Sequence, residues 1–142
     1  MSETTTTGQT GSSDLTWLLD NFKARLSGVD TVLVVSTDGL ATRTCTGLTQ
    51  EDAEHLSAIA SGSYMLMSRA DAHFKGPGDV RQFVAQLSSR VFFLTEAAVN
   101  SILVVITSRE SDVGLVGHEM KLLAHQVQSH LGTKSRSENT AG

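Results

Sequence analysis

Apolar residues recur along this chain in two rhythms. Leu15, Leu18, Leu19, Phe22 and Leu26 follow helical spacing, which predicts a first helix capped by Ser13 or Asp14 and closed at Ser27-Gly28. Residues 31–35 are a β-branched apolar run and predict a central strand, followed by the turn Ser36-Thr37-Asp38-Gly39. Residues 40–45 alternate weakly and return as a second strand that Gly47 ends. Thr49 then caps a long helix with Glu51 and Asp52 in its first turn, where the helix dipole favours acidic groups. Leu56, Ile59, Ala60, Ser63, Met67, Ala70 and Phe74 form its stripe, and Gly76-Pro77-Gly78 stops it. At 1.5 Å per residue it spans roughly 35–40 Å. Three strands follow, at residues 80–87, 91–95 and 101–107. Ser111 or Asp112 caps a last helix with the stripe Val116, Met120, Leu123, Val127 and Leu131, which ends at Gly132.

The long helix lacks charge where a helix with one buried stripe carries it. No charged residue lies between Leu56 and Ser68, and the face opposite the stripe offers Ala58, Ser61, Gly62, Met65, Ser68 and Ala72. Small side chains let another backbone come close, and methionine adapts to an irregular surface. One face is expected on the chain's own sheet and part of the other against a second chain. The alternative is a helix buried on all sides within one domain.

These elements predict an α/β (α+β) three-layer sandwich. Its order is helix-strand-strand-helix-strand-strand-strand-helix, around a five-stranded antiparallel sheet. The long helix takes one face and the terminal helices the other. The run Ile102, Leu103, Val104, Val105, Ile106 is apolar on both faces and belongs at the centre. The strand at 80–87 alternates, lacks proline and carries one charge, Arg81. Left open, such a strand is a template for aggregation, so it is expected to pair with its own copy across a twofold axis.

Composition narrows the function. The chain of 142 residues suits one domain, residues 14–131, between tails expected to be disordered at 1–13 and 132–142. Fifteen acidic against eleven basic residues argue against a nucleic-acid footprint or a polybasic membrane anchor. One cysteine, Cys45, excludes an intrachain disulfide. The N-terminus has no apolar signal segment and no run is long enough to span a bilayer, so a cytoplasmic home is expected.

Catalytic chemistry finds little support. Of five histidines, His118 and His125 share a helix face, but His125 and His130 do not, and no ligand stands at zinc-motif spacing. Cys45 has no histidine beside it in sequence to activate a thiol. No GxSxG elbow and no phosphate-cradling glycine pattern occurs. Arg43, Arg69, Arg81, Arg90 and Arg109 follow the first helix. Arg90, near a hairpin tip, is the most reachable for insertion into a GTPase site, against an ordinary solvated role. Arg69 better fits plain partner contact. No catalytic residue, cofactor or metal is expected.

Four strings in order carry a resemblance. They are Leu15-Thr16-Trp17-Leu18-Leu19-Asp20-Asn21-Phe22, Val34-Val35-Ser36-Thr37-Asp38-Gly39-Leu40, Leu56-Ser57-Ala58-Ile59-Ala60-Ser61-Gly62 and Asp112-Val113-Gly114-Leu115-Val116-Gly117-His118-Glu119-Met120. With them the chain resembles the Roadblock/LC7 family. It looks similar to small actinobacterial, conservon-type members encoded beside a histidine-kinase-like protein and a Ras-like GTPase. Gly117-His118 stands where an Ala-Tyr type pair is common, and Ser88-Ser89-Arg90 occupies a turn that often carries glycine.

The resemblance implies a homodimer made by pairing the long helices and the third strands. It also implies a non-catalytic regulator or platform for a small Ras-like GTPase, as in the gliding-motility regulators. A membrane histidine-kinase-like protein is a further partner, through which the chain would reach a membrane. Expected dimer contacts are Ser61, Ser68, Phe83, Val84 and Ala85. The outward groove of paired helices would offer Glu54, His55, Ala58, Gly62, Met65 and Arg69 to the GTPase. Two alternatives stand beside this: a scaffold without effect on hydrolysis, as in the dynein and Ragulator-type assemblies, and a small-molecule sensor.

Overall fold

The structure is a computed structural model that describes residues 10–141, with side chains described for residues 15–131. In chain order the elements are α1 (Thr10–Arg25), β1 (Val29–Ser36), β2 (Ala41–Thr44), α2 (Gln50–His73), β3 (Phe83–Gln86), β4 (Arg90–Ala98), β5 (Ser101–Ser108) and α3 (Val113–Ala141). The five strands form one antiparallel sheet in the order β2-β1-β5-β4-β3. This is the expected three-layer arrangement.

The alternation along β5 creates the layers. Leu103 and Val105 face α1 and α3, where Leu15, Leu19, Phe22, Val116, Met120, Leu123 and Val127 complete one core. Ile102 and Val104 face the other way, into a core with Leu33, Val35, Leu94 and Ala60 of α2. Both sides of the strand are shielded, so its backbone and side chains leave water together.

Several boundaries differ from those the pattern predicts. β3 covers four residues rather than eight. Val80 is buried in the α2-side core, and the Thr95 hydroxyl takes the Arg81 carbonyl, so side chains replace the ladder there. β4 is longer than expected at both ends and runs to Ala98, with an irregularity between Glu96 and Ala98. Helical backbone enters both segments expected as disordered tails, from Thr10 and up to Ala141. A lone glycine such as Gly132 costs a helix about 1 kcal/mol but does not end it. Residues 1–9 and 142 of those tails lie outside the described residues.

α2 starts and stops as its sequence dictates. The Thr49 hydroxyl accepts the Asp52 N–H at 3.1 Å. At the other end Lys75 adopts a left-handed φ of 69° and Gly76 N–H closes onto the Asp71 carbonyl. A Cβ on Gly76 would collide with the Asp71 carboxylate, whose Oδ2 accepts the Gly78 N–H at 2.8 Å.

Candidate protein-interaction surface

The long helix is fixed to its sheet by small and hydrogen-bonding residues. Ala53, Ser57 and Ala60 are buried, and their size lets the α2 backbone lie close over β1 and β2. Ser57 Oγ donates to the Ala53 carbonyl at 2.6 Å, so its burial leaves no hydroxyl unsatisfied. Ser61 Oγ donates to the Thr37 carbonyl at 2.7 Å, tying the helix to the β1–β2 turn. Tyr64 OH donates to Glu96 Oε2 at 3.1 Å, tying it to the end of β4. Burial, then the Glu96 carboxylate beside it, raises the Tyr64 phenol above its ordinary 10.0.

This inner face corrects the predicted stripe. Of the stripe residues, Ala60 is buried and Leu56 half-buried, but Ile59 is 53 % exposed, Met67 and Ala70 are open, and Phe74 is exposed beside His73. Size decides it: bulky Ile59 and Met67 would hold the helix off β1 and β2, whereas Ala53, Ser57 and Ala60 do not. Ser61 and Ser68, expected in a dimer contact, are half-buried on the inner flank. Ser61 is spent on Thr37, and the Ser68 hydroxyl lies against Gly78.

At 100° per residue the helix therefore has three faces, about 120° apart. The first is the inner row Ala53, Ser57, Ala60, Tyr64 and Asp71. The second is an apolar flank of Ile59, Ser63, Leu66, Met67, Ala70 and Phe74, with Leu66 62 % exposed. The third carries Glu54, His55, Ala58, Gly62, Met65 and Arg69, and all six are open to solvent to varying degrees. Nothing lies within 4 Å of a Cβ built on Gly62, so this face is open along its middle. Sequence reasoning found the third face as a group. It missed that the second is uncovered, although bulky residues at 59, 66 and 67 against small ones at 53, 57 and 60 were the signal.

The open side of the sheet continues this surface. β3 is an edge strand, and Phe83 and Ala85 face the α2 side but are only half-buried. Val84 points to the opposite side and is 37 % exposed, and Leu87 just beyond is open. One ladder of β3 backbone groups has no partner strand among the described residues.

The catalytic candidates disperse. Arg90 opens β4 directly after the Ser88-Ser89 turn, near the hairpin tip as expected, and its Nε is 2.9 Å from Asp30 in a half-exposed ion pair. Cys45 is buried, its N–H donating to the Val32 carbonyl, and its sulfur accepts the Val32 N–H at 3.5 Å. His55, His73, His118, His125 and His130 are all exposed. Among the described residues no three His, Cys, Asp or Glu groups are placed to hold a metal, and no helix is long and apolar enough to cross a membrane.

Comparison with known proteins agrees with this architecture. A Roadblock/LC7 domain structure from Streptomyces avermitilis is 35 % identical, with a TM-score of 0.75 over 81 % of this chain and 95 % of that one. The gliding protein MglB from Thermus thermophilus shares the fold at 12 % identity, with a TM-score of 0.75 over 84 % of this chain and 90 % of that one. Profilin IB of Acanthamoeba castellanii is similar in fold at 16 % identity, with a TM-score of 0.56 over 80 % of this chain and 95 % of that one. No curated protein sequence matches. The family model described as the Roadblock/LC7 domain matches residues 15–107. With that match and the Streptomyces relative, the chain belongs to the Roadblock/LC7 domain family.

Proposed function

We propose that this protein is a homodimeric, non-catalytic platform that regulates a small Ras-like GTPase in a bacterial signalling system. The observation that carries the reading is the three-faced long helix. Its inner face is used by its own sheet, its apolar flank has no cover among the described residues, and its third face presents small residues between Glu54, His55 and Arg69. An apolar flank of this kind calls for a second copy, and the twofold that pairs two α2 helices also brings two β3 edges together. A standard interface buries about 800 Å² per partner. A helix of 24 residues and one strand edge supply a surface of that order.

The third face then becomes the roof of the dimer and receives the GTPase. Ala58 and Gly62 allow close approach, Met65 adapts to the partner, and Arg69 offers a charge at one end. Regulation needs no catalytic residue from this chain. A surface that binds one switch conformation better than the other shifts the population toward it. A histidine-kinase-like membrane protein is a second partner for the same platform.

The experiment pairs the protein with a small Ras-like GTPase encoded beside it. Light scattering is expected to give a dimer at micromolar concentration, and GTP hydrolysis to change in rate when the dimer is added. Binding with an unchanged rate leaves a scaffold. A monomer that neither binds nor alters the GTPase overturns the proposal.

A further inference from the structure

A separate cleft lies at the other end of the α1–α3 layer, where the last turn of α1 meets the start of α3. It has a volume of about 290 Å³ and is lined by residues 26–28, 108, 110–112, 115 and 116. Leu26 and Val116 are buried at its base and Leu115 forms a half-open apolar wall. Ser108 and Ser111 Oγ are 3.3 Å apart, so at least one hydroxyl hydrogen remains to shift between partners. Glu110 and Asp112 stand at the rim, and no lysine, arginine or histidine is among the lining residues.

The walls are fixed by backbone bonds. Ser108 N–H donates to the Gly28 carbonyl at 2.8 Å, and Ser111 N–H to the Ser108 carbonyl at 3.3 Å. Gly28 has φ 89° and passes so close to Ser111 that a Cβ there would collide with its hydroxyl. The space is therefore pre-formed, and ligand sites are usually so.

Electrostatics select the occupant. Asp112 Oδ1 accepts the Leu115 N–H at 3.1 Å, and its second oxygen and the Glu110 carboxylate, both lining the cleft, accept no side-chain hydrogen bond among the described residues. Among the described residues neither carboxylate is in an ion pair. Two unit negative charges outweigh the positive end of the α3 dipole, which amounts to about half a charge. The volume sits at the lower bound of ligand-holding cavities, roughly 300 Å³, so it admits one side-chain-sized group and not a nucleotide.

We propose that this cleft binds a cationic head on a short aliphatic stem, of the arginine-side-chain type. The stem lies on Leu26, Leu115 and Val116, and the head is held by Glu110, Asp112 and the serine hydroxyls. The site is independent of the GTPase-facing helix, on the opposite side of the sheet.

Amide NMR titration of the full chain with n-butylguanidinium tests it, with n-butylurea as the neutral isostere. Saturable shifts confined to residues 26–28 and 108–116 are expected with the cation, and none with the urea. Glu110→Gln removes a charge-assisted contact at an exposed position and is expected to weaken binding about tenfold or more. Leu115→Ala should weaken it through the stem. A capped Gly-Gly-Arg-Gly-Gly peptide separates the sources: binding as tight as the free cation means a partner's side chain fits, and exclusion means a free small cation. Equal binding of the urea, an unchanged Kd in Glu110→Gln, or shifts spread over the acidic start of α2 would each overturn the proposal.

Discussion

Leu66→Asp tests the proposed dimer apart from folding. Leu66 lies on the apolar flank of α2 and is 62 % exposed in the single chain. Fully burying a leucine side chain is worth about 1.5–3 kcal/mol, so the portion still open is worth about 1–2 kcal/mol. In a twofold dimer both copies lose it, which gives about 2–4 kcal/mol, before the added cost of desolvating a carboxylate. At 1.4 kcal/mol per tenfold, the Kd of the proposed dimer should rise about 30- to 700-fold. The single chain should suffer little, because surface changes away from special contacts usually stay within about 0.5 kcal/mol. Sedimentation velocity across the micromolar range reads the Kd, and far-UV circular dichroism checks that helix content is kept. Any fall in Tm should depend on protein concentration, since a dimer stabilises its fold by mass action. A folded Leu66→Asp protein that sediments as the wild-type dimer would leave the flank solvated and place the twofold elsewhere.

Three other outcomes are expected. The double change Ala58→Arg, Met65→Glu on the third face should abolish GTPase binding in a pull-down while the dimer persists; wild-type affinity in an intact dimer would move the docking site off this face. Val104→Asp buries an unpaired charge between Leu33 and Leu94 and should cost about 3–5 kcal/mol in a urea melt, so a soluble, normally folded variant would contradict the two-sided core. Tyr64→Phe tests the tie to Glu96. The folded phenol titrates above its ordinary 10.0, so the stability linked to it is complete below pH 10.0 and declines as pH rises toward the folded value. That alkaline decline should shrink in Tyr64→Phe, and an identical pH profile would mean the phenol carries no such linkage.

What the sequence determined by itself is the layering. The two-sided apolar run at residues 102–106 demanded helices on both faces, and the stripes at 15–26 and 116–131 supplied two of them. The Thr49 cap and the glycines after Phe74 bounded the third. Those signals are local: periodicity, capping and turn chemistry act within a few residues of the side chains that carry them. The orientation of α2 was not local. Its sequence offers two faces to the sheet, one bulky and one small, and which is taken depends on how close β1 and β2 allow the helix to lie. The tertiary structure chose Ala53, Ser57 and Ala60, and sent Ile59, Leu66 and Met67 to the surface. The length of β3 was decided at the same level, by Thr95 taking the Arg81 carbonyl from the ladder. The cleft at Gly28 also needed the fold, because it joins residues 26–28 to residues 108–116. No periodicity links positions so far apart; only the antiparallel pairing of β1 with β5 brings them together.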